Sequence, residues 1–333
     1  MARIAIIDIG TVSVRLAVAD VEDGHVVRCI KRTRICNLGE DTDKAGILCQ
    51  AAQNRVMTCV FMYLDLAECA GAEVCVCTLT SAARDAKNSD EFIAMLTNAG
   101  LKPQIISGEV EASLSFIGVA QDFPGKNIAI ADCGGGSTEV AVGRYSQEEG
   151  LDLSWVHSFD IGCRRITERY LHSKNPVNMP DLMVAHNEIN QGFTSLIPWQ
   201  RQAQAPLIPK PETLICVGGT ATSLVSINEK MVKYDPKIVH LHELTIESVM
   251  ETEKNLAQLN VLQLQNLVGL QPERAGVIVG GAAIISELMK VTKFNSLTVS
   301  ESDLLFGLAI VADCTYTNKK SVLKWSPCLR EMR

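Results

Sequence analysis

Two segments of the chain place small residues and an aspartate in the same order. Ile4-Ala-Ile-Ile-Asp-Ile-Gly-Thr-Val-Ser-Val-Arg-Leu-Ala-Val18 aligns without gaps on Ile128-Ala-Ile-Ala-Asp-Cys-Gly-Gly-Gly-Ser-Thr-Glu-Val-Ala-Val142, 124 residues later, with eight of 15 pairs identical. Each copy reads as a strand, a tight turn and a second strand. Turns built from small residues let backbone N–H groups approach an anion, because no Cβ stands in the way. The first supplies Gly10, Thr11 and Ser13 after Asp8, and the second Gly134, Gly135, Gly136, Ser137 and Thr138 after Asp132. Glycines in a single hairpin could merely satisfy positive φ, but the repetition with an aspartate at the same offset favours two phosphate cradles for one elongated ligand.

Asp8 and Asp132 each end an apolar strand, where a carboxylate suits a cleft better than a core. Phosphate chemistry calls for a hard cation, and Mg²⁺ uses one or two carboxylates together with phosphate oxygens and water. Both aspartates are therefore assigned to a metal region, with Glu139 as a third carboxylate reached through water. A helix opening near Ser107 carries Glu109 and Glu111 in its first turn. Helix-start electrostatics alone would favour acidic residues there, whereas a carboxylate held at a cleft would deprotonate an attacking water. Spacing does not choose between the two glutamates. Arg84 follows a strand end, where its planar fork could grip phosphate or pair with Asp85. Gly218-Gly-Thr-Ala-Thr222 is a third anion-compatible turn, bringing in Gly219 and Thr220.

Other patterns carry less. Cys75 and Cys77 alternate on a strand and read as small packed hydrophobes. His240 and His242 have ligand-like spacing and no third partner. Neither a GxxxxGK[ST] loop nor a GxGxxG in a strand-helix setting is present. Cys133, beside the second turn, is a candidate for thiol regulation.

The elements that must position these residues alternate. Strand-like Ile4 to Ile7, helix-like Gln53 to Ala70, strand-like Glu73 to Thr78 and helix-like Ser89 to Ala99 indicate an α/β protein. Length, at 333 residues, suggests two domains, and 47% apolar residues give each an ample core. The boundary is placed at Phe123-Pro-Gly-Lys126, giving domains 1–124 and 125–315 and a basic, aperiodic tail, 316–333, that is partly ordered at best. Trp199 to Glu212, with Pro206, Pro209 and Pro211, reads as an exposed connection before the strand Thr213 to Val217. A formal charge of −7 argues against a general DNA or RNA binder, and twelve scattered cysteines indicate a reducing, cytoplasmic setting. The longest uncharged apolar run, Ala275 to Ile285, is short of the ~20 residues that span a bilayer, so neither export nor a membrane anchor is expected.

With these residues in view, the chain resembles the exopolyphosphatase and guanosine pentaphosphate phosphohydrolase (Ppx/GppA) family of the actin, Hsp70 and sugar kinase superfamily. The resemblance covers roughly residues 3 to 313. It rests on Ile7 to Leu16, Thr80 to Ala86, Ile106 to Ala112, Asp132 to Glu139, Asp160 to Glu168, Gly218 to Thr222 and Glu273 to Val279. It implies two ribonuclease-H-like (actin-like ATPase) domains around an interdomain cleft, and Mg²⁺-dependent hydrolytic release of terminal phosphate from polyphosphate or from pppGpp. It selects Glu111 as the catalytic base, matches Arg84 to an arginine facing the phosphates, and places Asp132 and Glu139 near the water and metal. The length matches the two-domain branch, and a homodimer is a family-level expectation. Val12, Val110, Ser113 and Phe306 depart from the family pattern. These changes bear on substrate preference more than on reaction type.

The leading expectation is thus a phosphoanhydride hydrolase in which the turns, Arg15 and Arg84 hold the substrate, with Arg164 and Arg165 lining a positive cleft. Two alternatives are an ATP-using kinase or ATPase of the same superfamily, and a catalytically weak polyphosphate or nucleotide sensor.

Overall fold

The computed structural model describes residues 2–146, 150–171, 176–195, 197–199 and 208–332. In chain order the elements are β1 (Ala2–Ile9), β2 (Ser13–Glu22), β3 (His25–Ile35), α1 (Thr42–Ala45), α2 (Gln50–Cys69), β4 (Val74–Leu79), α3 (Ser81–Asp85), α4 (Ser89–Asn98), β5 (Pro103–Ile105) and α5 (Gly108–Ala120). Then follow β6 (Ile128–Cys133), β7 (Thr138–Ser146), β8 (Gly150–Phe159), α6 (Cys163–Arg169), α7 (Met179–Thr194), β9 (Thr213–Val217), α8 (Gly219–Asn228) and α9 (Pro236–Val239). The remainder is β10 (His242–Thr245), α10 (Ile246–Ala257), α11 (Val261–Gln265), α12 (Ile278–Thr292), β11 (Ser296–Val299), α13 (Leu304–Tyr316) and β12 (Arg330–Glu331). Among the described residues no helix is long and apolar enough to cross a membrane.

The fold is mixed α/β with two compact units. One comprises Met1–Pro124, Tyr145–Leu151 and Asp303–Arg333, the other Gly125–Arg144 and Asp152–Ser302. The first sheet runs β12-β4-β1-β2-β3, with β5 also on β4, and the second runs β10-β11-β9-β6-β7-β8. The repeat is visible in the pairing. β1 is antiparallel to β2 and parallel to β4, just as β6 is antiparallel to β7 and parallel to β9.

In the first unit, alternate residues of β1 feed two cores. Ala5, Ile7 and Ile9 pack with Val56, Val60 and Tyr63 of α2, while Ala2, Ile4 and Ile6 pack with Leu114 and Ile117 of α5 and Leu308 of α13. A strand covered on both faces needs apolar residues throughout, which is why this segment reads as one continuous run. Cys75 and Cys77 share the α2-side core, as their alternation implies, and burial pushes the Cys75 thiol up to about 12.

The C-terminal boundaries differ from the sequence reading, and Tyr145–Leu151 clusters with the first unit. Residues 303–315 belong with the first unit, because α13 lays its apolar face on α5 and on the first sheet. The tail is also docked: β12 pairs with β4, and Val322, Leu323, Trp325 and Leu329 pack on the same core. Their irregular spacing hides this in the sequence. Of the connection assigned to Trp199–Glu212, residues 200–207 lie outside the described residues, and 208–212 carry neither helix nor strand.

The α5–α13 crossing depends on two glycines. A Cβ on Gly307 would collide with the carbonyl of Leu114, and one on Gly118 with the carbonyl of Asp303. Gly307→Ala is expected to destabilise the first unit by about 2–3 kcal/mol and lower Tm by roughly 5–10 °C. Gly276→Ala, where a Cβ meets open space, serves as the control in the same melting experiment.

In the second unit, His186 of α7 ties three helices together. Its Nε2 lies 2.6 Å from Glu253 of α10 and its Nδ1 2.8 Å from Glu287 of α12, which also accepts from Lys290 and Asn190. Burial alone would push this imidazole down, but the two carboxylates override it and raise it to about 9. Burial would likewise raise Glu287, yet His186, Lys290 and Asn190 hold it at about 2. The raised imidazole stabilises the fold fully below its ordinary value of 6.5, and that contribution is lost as pH rises through 9. The depressed carboxylate contributes above 4.5 and loses it as pH falls through 2. Since about a fifth of the His186 side chain is exposed, we expect on the order of 2 kcal/mol at stake between pH 6.5 and 9. Thermal melts over that interval should show a steeper loss in wild type than in His186→Gln.

Candidate active site

In the first unit the turn after β1 is closed by Gly10 N–H donating to the Ser13 carbonyl at 2.9 Å, an approach that leaves little room for a Cβ at Gly10. The loop after β3 then captures the turn's carbonyls. Cys36 and Asn37 donate to Val12 O, and Gly39 donates to Thr11 O. In a planar trans peptide the next N–H points opposite to the carbonyl, so the amides of Val12 and Ser13 face away from that loop. Among the described residues the buried Thr11 hydroxyl has no hydrogen-bond partner.

Asp8 sits directly across the hairpin from Arg15. Its Oδ2 accepts from Arg15 Nε at 3.0 Å and Nη2 at 2.8 Å, and its Oδ1 accepts from the Thr78 hydroxyl at 3.1 Å. Arg15 Nη1 also reaches Asp303 Oδ2, which Lys31 shares, both at 3.2 Å. Burial would raise the Asp303 carboxyl, but Lys31, Arg15 and the Leu305 N–H hold it below its ordinary value. Asp8, expected in the metal region, holds the guanidinium of Arg15 in this structure. Phe306, the departure beside Gly307, offers its ring to the Lys31 ammonium at 5.4 Å.

The structure separates the two glutamates that spacing left tied. Ser107 caps α5 by accepting from Val110 N–H. Glu109 in the first turn is exposed, and its carbonyl accepts from the Ser113 hydroxyl. Glu111 is buried at 7% exposure, with Oε2 2.6 Å from Arg84 Nη1. Arg84 also donates to the Ile106 carbonyl at 2.9 Å, so it is anchored to the same loop that starts α5. An arginine held this way fixes the direction of the carboxylate, as a positioned general base requires.

In the second unit the hairpin closure recurs, with Gly134 N–H donating to Ser137 O at 3.0 Å. Here α6 captures the carbonyls. Cys163 N–H donates to Gly134 O, Arg164 and Arg165 N–H to Gly135 O, and the Arg165 side-chain Nε to Gly136 O at 2.7 Å. Three consecutive carbonyls turned toward α6 leave the amides of Gly135, Gly136 and Ser137 turned the other way, as an anion nest. A Cβ at Gly162 would strike Gly135 and Gly136, so only glycine lets α6 approach this closely. Arg165 is buried and supports the turn from behind, contrary to the expectation that it lines a cleft; Arg164 reaches Glu168 at 2.9 Å.

Asp132 and Glu139 are cross-strand partners on β6 and β7, the positions held by Asp8 and Arg15 in the first copy. Side chains directly opposite share a face, and like charges there are unfavourable unless a cation lies with them. Both carboxylates are buried, and Ser158 donates to Glu139 Oε1 at 2.7 Å. This oxygen-donor pair fits a hard cation such as Mg²⁺, whose remaining ligands are phosphate and water. No group of three or more His, Cys, Asp or Glu suited to a metal occurs among the described residues, His240 and His242 included. Gly218 brings the third turn beside Asp132, and Gly219 lies against the guanidinium of Arg274.

Two predicted phosphate binders have other occupations. The Thr138 hydroxyl donates to the Ile161 carbonyl at 2.5 Å, and Thr220 is buried beside Gly281 with its hydroxyl engaged by the Cys163 thiol. Cys133 is buried, and its hydrogen bond with Cys216, together with burial, pushes its thiol well up. That disfavours the thiolate on which redox regulation depends. The residues that sequence reasoning left without a role are Lys31, Asp303, Ser158, Gly162 and Arg274. Gly162 and Arg274 lie in stretches that carried the resemblance; the others had no local signal.

The model of the Ppx/GppA phosphatase family matches residues 17–309. The chain belongs to the Ppx/GppA phosphatase family. As a Ppx/GppA protein it is a phosphoanhydride hydrolase. It is similar to exopolyphosphatase 2 of Mycobacterium tuberculosis, 33% identical over 93% of this chain and 98% of the relative. It is also similar to the guanosine-5′-triphosphate,3′-diphosphate pyrophosphatase of Photobacterium profundum, 26% identical over 91% of this chain and 58% of the relative. Among solved structures, the Ppx/GppA member from Aquifex aeolicus superposes with a TM-score of 0.76 at 25% identity, covering 96% of this chain and 99% of that one.

Proposed function

We propose that the protein removes terminal phosphate from inorganic polyphosphate, with Glu111 as the base that activates water. The observation that carries this reading is the buried Glu111–Arg84 pair at 2.6 Å, which orients the carboxylate. Support for polyphosphate comes from the Mycobacterium tuberculosis relative, matched over nearly its whole length. Guanosine pentaphosphate is the second candidate, supported by the Photobacterium profundum relative.

In the mechanism, the amides of Val12 and Ser13 in the first unit receive phosphoryl oxygens, with Arg15 adding positive charge, and those of Gly135, Gly136 and Ser137 are the anion nest of the second unit. Glu111 takes a proton from water, whose oxygen attacks the terminal phosphorus in line as the bridging P–O bond breaks and the shortened chain departs. A Mg²⁺ ion held by Asp132 and Glu139 would neutralise charge on the phosphate oxygens. The kinase alternative leaves Glu111 without a task.

The test is phosphate release from long-chain polyphosphate, pppGpp and ATP in parallel, with Mg²⁺ and with chelator. Release from polyphosphate that chelation abolishes is expected. Release confined to pppGpp would move the substrate to the nucleotide, ATP turnover alone would favour the kinase reading, and binding of polyphosphate without release would favour a sensor.

A further inference from the structure

The strand β3, His25–Ile35, is the outer edge of the first sheet. Its eleven residues include Arg28, Lys31, Arg32 and Arg34 and no acidic residue, in a chain whose net charge is −7. Arg28, Arg32 and Arg34 fall at alternating positions and share one face with the exposed Ile30. That face is the one of their cross-strand partners Val14, Leu16 and Val18, not that of Asp8 and Arg15. All three arginines are exposed. Among the described residues neither Arg32 nor Arg34 forms an ion pair with a carboxylate; Arg32 donates only to the neighbouring Lys31 carbonyl. Arg28 lies opposite Asp20, which Arg3 already holds.

The position of this row matters as much as its charge. Ile35 pairs with Ser13, and the residues that follow β3 hold the carbonyls of the first phosphate turn. The row therefore starts one residue from that turn and runs away from it for about 20 Å, at ~3.3 Å per residue. The outer edge of β3 adds backbone N–H groups along the same line. Edge strands carry charge to discourage sheet-to-sheet pairing, but that purpose is served by either sign and has no need of a row that begins at the phosphate turn.

We propose that Arg34, Arg32 and Arg28 form a track that holds the distal part of a long polyphosphate chain while its end occupies the active site. The ligand is a linear inorganic polyanion. No aromatic side chain is interleaved in β3 to stack a base, so a nucleic acid is the poorer fit. The inference rests on the polyphosphate reading above and assigns to it a preference for long chains.

The experiment is equilibrium binding, on the full chain carrying Glu111→Gln so that the ligand survives. Arg32→Ser with Arg34→Ser is compared with the parent, using long-chain polyphosphate and tripolyphosphate at several salt concentrations. We expect long-chain affinity to fall roughly tenfold, tripolyphosphate affinity to change by less than about twofold, and the long-chain salt slope to drop by roughly 1 to 2. Unchanged long-chain binding, or equal weakening for both ligands, would overturn the track. So would equal competition by a single-stranded oligonucleotide, which would make it a general polyanion patch. A matching melting temperature confirms that the variant is folded. Failure of the substrate reading shows separately, as absent phosphate release from polyphosphate by the wild type.

Discussion

Glu111→Gln is expected to lower kcat on polyphosphate by roughly 10³-fold, about 4 kcal/mol of transition-state stabilisation, with KM little changed. Glutamine keeps the shape of the side chain and can still accept from Arg84, so neither the start of α5 nor the packing of Leu114 and Ile117 is disturbed. What disappears is the negative charge that takes the proton from water in the proposed mechanism. Because Glu111 is buried and joined to an arginine fixed on the Ile106 carbonyl, no neighbouring carboxylate on α5 substitutes for it; Glu109 is exposed. Glu109→Gln is accordingly expected to keep kcat within about threefold of wild type. Steady-state kinetics on both variants check the assignment.

The second large effect belongs to a residue that acts through another. Arg165→Gln should lower kcat/KM by about 10²-fold, because the Gly136 carbonyl loses its 2.7 Å donor and the peptide that aims the Ser137 amide is no longer fixed. One misdirected oxyanion donor costs this much in other enzymes. A buried carbonyl left without its partner also costs about 1–3 kcal/mol of stability. The two effects part under a conservative change. Arg165→Lys restores packing and stability but offers a point donor in place of a planar fork, so it should recover Tm more fully than kcat/KM. Equal recovery of both would reduce Arg165 to a structural role.

The parts of the site that were legible in the sequence are those repeated in it. The match of residues 4–18 to 128–142 exposes both hairpins because identical backbone demands leave identical residues, above all Gly10 and Gly134, which each face the carbonyl three residues on. The same alignment sets Arg15 against Glu139, but its meaning depends on β-register. Only when Asp8 faces Arg15, and Asp132 faces Glu139, does the first hairpin become an ion pair and the second a pair of facing carboxylates. Arg165 was misjudged because a motif shows that a cation is near a turn, not on which side of the peptides it lies. The segment 303–315 was given to the wrong unit because a helix apolar nearly all round fits either core. The tail escaped for the opposite reason, since the apolar residues it packs on the cores follow no period. Lys31 and Asp303 meet 272 residues apart in the chain, and nothing local announces such a pair.

The most direct measurement is phosphate release from long-chain polyphosphate in ¹⁸O-enriched water, by wild type and Glu111→Gln, with binding of the chain followed in parallel. Attack of a Glu111-activated water on the terminal phosphorus predicts one solvent oxygen in each phosphate released by the wild type, and label appearing roughly 10³ times more slowly in the variant at unchanged affinity. Labelled phosphate leaving Glu111→Gln at close to the wild-type rate would contradict the account.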